Sequence, residues 1–394
     1  MRIFARIIQI FVGVLFIISG LVKANDPLGL SYKMKEFFEL WNGELATGHF
    51  FLKNGLISFF ELLHESSLAL SVFMITLEIF AGVALLLGWM KNFILWLLLL
   101  LILFFSFLTG YAYMSGKFTN CGCFGDCLPI TPLTSFTKDL ILLVMILILL
   151  TGRKYITPLF STKSRTLILA SSLLVTFLLQ WYVLNYLPIA DCLPFKKGNN
   201  ISQQIKPPPG AVPDSFAIRF IYEKGGKQYE FAPENLPADF NTYKFIDRKD
   251  KLVRKGNAEP AIKGFSLTGI SKDSITGNSI DSTQIVLSQP KAILVFMQNF
   301  QSPDWINNFK KIADEAKAKS LPLYIASPSA TDALNLFEKA NISNAQSFNC
   351  DFTVVRTAAR TDPTIYILKN GTIVNKYSRN QFDNVISGLS SQKL

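Results

Sequence analysis

Three cysteines fall within seven residues, Cys121-Gly122-Cys123-Phe124-Gly125-Asp126-Cys127, in a short stretch between two hydrophobic runs. Thiols this close suit redox exchange or metal capture better than packing, because each can attack or ligate what its neighbour holds. Gly122 and Gly125 let the backbone fold tightly around them. A Cys121–Cys123 bridge would close a small strained ring, and strain raises oxidising potential and lability. A Cys123–Cys127 bridge is less strained and leaves Cys121 free to attack a partner. Lys117 and a nearby membrane surface favour the thiolate, whereas Asp126 opposes it. Three readings stay open: exchange-active thiols, a static disulfide, or a metal site. The metal reading has the weakest signal and no metal ligands are assigned, since His49 and His64 are the only histidines and neither lies near the trio in sequence.

The elements that must carry this loop are membrane spans. The chain has 394 residues, half of them hydrophobic, which is too apolar for one soluble domain. Five apolar runs, at about 4–22, 68–88, 93–114, 135–151 and 166–187, each approach the ~20 residues that cross ~30 Å of hydrocarbon. The fourth is the shortest. The first starts with Arg2 and Arg6 and has no small-residue cleavage site, so it reads as an uncleaved anchor.

The net charge of +11 does not point to nucleic acid, because the basic residues form no stripe interleaved with aromatics. Their placement predicts topology instead. Arg2, Arg6, Lys91, Arg153, Lys154, Lys163 and Arg165 occupy segments without a single acid, whereas the 23–67 loop mixes both signs. Positive-inside bias makes the basic segments cytoplasmic. The N-terminus is then cytoplasmic, and the 23–67 loop, the 115–134 loop and the tail lie on the external side of the membrane. All five cysteines (121, 123, 127, 192, 350) fall on the side where disulfides persist.

Residues 31–41 have amphipathic helical spacing. They predict either an interfacial helix with Phe37, Leu40 and Trp41 toward lipid or a helix capping the bundle. Residues 188–214 read as a linker stiffened by Pro207-Pro208-Pro209-Gly210. Residues 215–255 read as two β-hairpins, the second flanking Asp247–Asp250. From about 258, strands at 292–297, 321–326, 364–368 and 373–377 alternate with helices at 303–319 and 330–340, an α/β pattern.

Other residues could take part. Cys192, just beyond the fifth run, is either a partner thiol for the trio or incidental. Glu78 lies inside the second run, where a charge costs ~2.5–3.5 kcal/mol; it either contacts a proton or quinone headgroup or bonds a neighbouring helix. Lys138 and Asp139 open the fourth run, neutralising each other or tuning the thiols. Ser302-Pro303-Asp304 reads as a helix start. His49 and His64 receive no role.

The first half resembles the DoxX/MauE group of redox-associated membrane proteins. The resemblance rests on Cys121–Gly125 with Lys138-Asp139, on Gly20-Leu21-Val22-Lys23 with Asp26-Pro27, and on Leu77-Glu78 with Gly82. The whole arrangement is similar to DoxX-family proteins of Bacteroidetes. The tail resembles the TlpA/thioredoxin-like fold through Gly264-Phe265-Ser266-Leu267, Ile293–Phe296, Asp362-Pro363-Thr364 and Lys369-Asn370-Gly371. Where that family carries Cys-x-x-Cys, this chain reads Gln301-Ser302-Pro303-Asp304, so the usual dithiol cycle is excluded.

These resemblances imply a four-helix core at 1–152, a cytoplasmic loop and fifth span at 153–190, a periplasmic linker with β-hairpins at 191–257, and a thioredoxin-like domain at 258–394. They imply thiol–disulfide exchange at Cys121, Cys123 and Cys127, with electrons passing to a membrane quinone or to the thiols of an envelope protein. Cys192, which stands where that family does not usually carry cysteine, joins the candidate exchange site by its position beside the outer interface. The tail would dock that partner beside Pro363. The alternative is a non-catalytic scaffold in which the loop disulfide is structural.

Overall fold

The computed structural model describes residues 2–47, 52–118, 125, 127, 130–254, 256–269, 280–300 and 304–391. Cys121, Cys123, Asp126, His49 and the Gln301-Ser302-Pro303 stretch lie outside them, and with them the expected Ser302 helix start.

The first half is helical: α1 (Arg2–Ala24), α2 (Pro27–Thr47), α3 (Lys53–Glu65), α4 (Ser67–Leu87), α5 (Lys91–Ser115), α6 (Pro132–Thr151) and α7 (Thr162–Tyr186). Helices α1, α4, α5, α6 and α7 are long and apolar enough to cross a membrane, so the chain is a multi-pass membrane protein. Helix α6 reaches 20 residues because Thr131 caps it, accepting from the Thr134 N–H, with Pro132 in the first turn.

Helices α1 and α4 cross closely through glycine. A Cβ on Gly82 would sit 2.8 Å from the Gly13 carbonyl oxygen, so only glycine lets the backbones approach. Helix α7 is peripheral and is held by the Gln180 amide, which donates to Thr76 Oγ1 on α4 at 3.0 Å.

Helix α2 caps the bundle. It runs 21 residues, beyond the expected 31–41, and Phe37 and Phe38 are buried. Trp41 packs on Phe60 of α3 and Phe107 of α5 instead of pointing to lipid. Helix α3 was not anticipated, and His64 in its last turn bonds Glu39 at 2.9 Å.

The basic segments gather at one end of the bundle, where Lys91 Nζ donates to the Ile156 carbonyl at 3.1 Å and Arg165 Nη1 to the Gly88 carbonyl at 3.4 Å. The α1–α2 turn, the α5–α6 loop, the α7 exit and the tail meet at the other end.

After the short helix α8 (Ile201–Gln204), strands β1 (Ser215–Lys224), β2 (Lys227–Phe231) and β3 (Lys244–Arg254) form an antiparallel sheet in the order β2-β1-β3. The expected second hairpin is absent. Strand β3 runs straight through Asp247–Asp250, because ladder pairing with β1 uses only backbone groups. All its residues are exposed, so nothing forces a turn there, and Arg248 pairs with Asp250 two residues along the same face.

The tail has β4 (Thr268–Gly269), α9 (Thr283–Leu287), β5 (Ala292–Phe296), α10 (Ile306–Ala318), β6 (Leu323–Ser327), α11 (Ala330–Lys339), β7 (Ala345–Asn349), α12 (Phe352–Ala358), β8 (Thr364–Lys369), β9 (Thr372–Ser378) and α13 (Phe382–Ser390). Its sheet order is β4-β7-β6-β5-β8-β9, with β5, β6 and β7 parallel and β8 and β9 antiparallel. Separate apolar cores cover its two faces.

The 188–214 segment is more than a spacer. Phe195 is buried among Phe265, Phe296 and Tyr366, and the Gly198 and Ile201 amides donate to the Ile373 and Gly371 carbonyls at 2.8 Å. The chain leaving α7 is therefore built into the tail.

Candidate functional site

The Gly20-Leu21-Val22-Lys23 end of α1 turns Lys23 inward on the same face as Phe16 and Ser19. Its ammonium donates to both Glu78 carboxylate oxygens, at 3.0 and 2.7 Å, and lies 4.4 Å from the centre of the Phe105 ring. Both partners are almost wholly buried. A lone carboxylate at this depth is costly, and the ammonium and the ring face offset that cost.

Across a small cavity stands the second pair. Asp139 is fully buried, accepts from Thr109 Oγ1 at 3.0 Å and pairs with Lys138. Lys23, Glu78, Lys138 and Asp139 thus converge on a space of about 20 Å³. It has room for about one water. Lys23 was visible in the sequence only as part of a motif, and its role appears once α1 and α4 are packed.

The sulfur chemistry sits at the same end. Cys127 is bonded to Cys192, 65 residues later, rather than to Cys123. Asn25, which follows the end of α1, explains the approach. Its side-chain amide donates to the Ala190 carbonyl at 2.8 Å and accepts from the Ala190 N–H at 2.9 Å, and it reaches to 4.0 Å from Cys127 Sγ. Cys192 is exposed and Cys127 half-buried. Lys117, expected to tune the thiols, is instead 2.9 Å from Glu44 Oε1 on α2. Tyr111 donates to the other Glu44 oxygen at 2.8 Å, and the Lys117 bond leads in holding Glu44 below the usual carboxylate range. These two groups border an apolar groove of about 990 Å³ between α2, α3, α4 and α5.

The tail docks on this end through charges. Arg360 donates to Asp26 at 2.9 Å, Arg356 to Glu36 at 2.7 Å, and Lys376 to Asp191 at 3.1 Å. Both guanidinium groups lie over the Tyr32 ring, at 5.0 and 5.5 Å. Burial pushes the Tyr32 hydroxyl up, and burial pulls Lys376 down against the opposing pull of Asp191. Asp362 accepts from the Gln298 and Asn299 N–H groups at 2.9 and 2.7 Å, yet burial leaves its carboxyl raised. The Asp362–Pro363 peptide is cis. The edge beside Pro363, expected to face a partner, meets α2 of the same chain, with Gln298 against Tyr32. A cleft of about 600 Å³ remains between α2 and the tail, lined in part by Cys192.

Cys350 stands apart, buried in the tail core, with its thiol pushed up to about 12 by burial.

These features define a multi-pass helical membrane protein with a separate sheet-rich domain pinned to one end. Residues 1–152 match the family model of methylamine utilisation protein MauE, so this part of the chain is similar to that family. The match spans Glu78, the three loop cysteines, Lys138 and Asp139, and stops short of Cys192. Residues 216–255, the three-stranded sheet, match a domain of unknown function (DUF8463). No curated protein and no solved structure matches the chain.

Proposed function

We propose that the chain is a thiol–disulfide exchange protein of the bacterial inner membrane, with its basic end cytoplasmic and its tail periplasmic. The observation that carries this reading is the Cys127–Cys192 bond, made in a loop that holds two further cysteines four and six residues earlier. Cys121 and Cys123 precede Cys127 by only six and four residues, and exchange needs only a thiolate and an accessible disulfide. The envelope side keeps such bonds oxidised, and the acid-free basic segments at the opposite end support that orientation.

The tail fits a thioredoxin-like domain by its strand order and its βαβ-then-ββα path. With Gln301–Asp304 where a dithiol would stand, it acts by docking, and α2 of its own chain supplies one docked surface. A membrane quinone is the proposed electron acceptor. The apolar groove between α2 and α5 fits an isoprenoid tail in size and lining, with Tyr111 and Glu44 at its polar border.

Alkylating intact cells with an impermeant maleimide, before and after reduction, tests the proposal. Cys121 and Cys123 should label from outside without reduction, whereas Cys127 and Cys192 should become reachable only after it. Single Cys121→Ala or Cys123→Ala variants should then trap a mixed disulfide with an envelope protein. Full function of the triple Cys121/Cys123/Cys127→Ala variant in a strain that needs this gene would end the redox reading.

A second reading has its own support. The Cys127–Cys192 bond sits in a junction already held by Arg360–Asp26 and Lys376–Asp191, as a staple would. The chain would then be an envelope scaffold. A reduction potential well below about −300 mV marks a staple, and a higher value marks a working bond.

A further inference from the structure

The two sulfurs of the Cys127–Cys192 bond are not equivalent. Cys127 is half-buried beside Asn25, whereas Cys192 is exposed and lines the cleft between α2 and the tail. That cleft, about 600 Å³, lies inside the roughly 300–1,000 Å³ typical of ligand sites. Its walls are apolar at Leu193, Ile262 and Val354, and its rim is basic at Lys33, Lys263 and Arg356. Glu36 bonds both Lys33 and Arg356, and Glu259 bonds Lys263, so three cations meet two carboxylates and the rim stays positive.

From this geometry we infer that the cleft binds an extended, cysteine-bearing peptide segment with acidic flanks, and that Cys192 Sγ is the atom its thiolate attacks. The inference rests on the exchange reading above and adds the substrate class and the point of entry.

The step balances within the two partners. A client thiolate attacks Cys192 Sγ and forms a mixed disulfide. The Cys127–Cys192 bond breaks, and its electron pair leaves on Cys127 as a thiolate that Asn25 faces and that then takes up a proton. A second client thiolate attacks the client sulfur and expels Cys192. The client dithiol has lost two electrons and two protons, and Cys127 and Cys192 have gained them. Attack at Cys127 is disfavoured because its sulfur is the more enclosed of the two.

The test uses the full chain in lipid nanodiscs, in a Cys121→Ala/Cys123→Ala background, so that failure here is separate from failure of the loop-trio trapping. The probes are a synthetic nonapeptide with one central cysteine and acidic flanks, the same peptide with basic flanks, and 2-mercaptoethanol. Peptide mapping by mass spectrometry should find the acidic peptide on Cys192 with Cys127 as a free thiol. The acidic peptide should react at least fivefold faster than the basic one at low salt, with the gap closing at high salt. Thr353→Trp, an exposed position on the cleft wall, should lower the ratio of peptide rate to 2-mercaptoethanol rate at least tenfold. An adduct on Cys127, a bond that resists all three probes, or a rate ratio unmoved by Thr353→Trp would each overturn the inference.

Discussion

Arg360 and Asp26 stand 334 residues apart in sequence and 2.9 Å apart in space, with the guanidinium almost wholly buried. The tail is therefore fastened to the membrane half by a desolvated charge pair. Arg360→Ala removes the buried cation that faces Asp26 and should cost about 3–5 kcal/mol of docking. Limited proteolysis across 187–194, where the chain passes from α7 to the tail, should speed up accordingly, and Arg360→Met with Asp26→Leu should recover most of the loss. Unchanged cleavage in the single variant would show that the tail is held by other contacts.

The Lys23–Glu78 pair makes a similar prediction inside the bundle. Lys23→Met leaves a buried carboxylate without its cation and should destabilise the detergent-solubilised protein by about 3–5 kcal/mol. Lys23→Met/Glu78→Leu should restore much of that stability. If the double variant is stable and inactive, the pair serves chemistry as well as packing. If it is stable and active, packing is its whole role.

The α1–α4 crossing is sensitive to one methyl group. Gly82→Ala places a Cβ 2.8 Å from the Gly13 carbonyl and should cost about 1–3 kcal/mol in thermal unfolding. Gly43→Ala on α2 meets nothing within 4 Å and should be neutral or stabilising by up to about 1 kcal/mol. Equal effects at the two sites would argue against the close crossing.

Cys350 sets a pH dependence. Its folded value of about 12 lies above the ordinary 9.0, so the unfolded chain ionises first. The stability it contributes is full below pH 9 and is lost as pH rises toward 12, with a slope approaching about 1.4 kcal/mol per unit. Burial also raises Tyr324, Tyr366 and Tyr377, whose loss begins a unit higher, near pH 10. Cys350→Ala should therefore flatten tail stability mainly between pH 9 and 10, measured by thermal melts. At pH 8 the folded thiol should alkylate about 1,000-fold more slowly than an ordinary one, since three pKa units set its thiolate fraction.

The five spans were legible because twenty apolar residues in a row have few alternatives. Helix α2 was ambiguous for a physical reason: a helix facing lipid and one capping a bundle bury the same apolar stripe. Helix α3 was hidden in a loop read as polar. Strand β7, Ala345-Gln346-Ser347-Phe348-Asn349, has only Phe348 buried, so no alternating signal exists to find. Glu78, Lys138 and Asp139 could be singled out by cost and position. Their convergence with Lys23 needed the α1–α4 packing, which brings together residues 55 apart. The partner of Cys127 could not be chosen from spacing, because Asn25 and the α7 exit decide it.

The bond between Cys127 and Cys192 also imposes an order on biosynthesis. The later sulfur is translated only after α6 and α7, so the earlier one must wait, in company with two competing thiols, while both helices are threaded into the bilayer. Closing that link consequently certifies that the last crossing has been made.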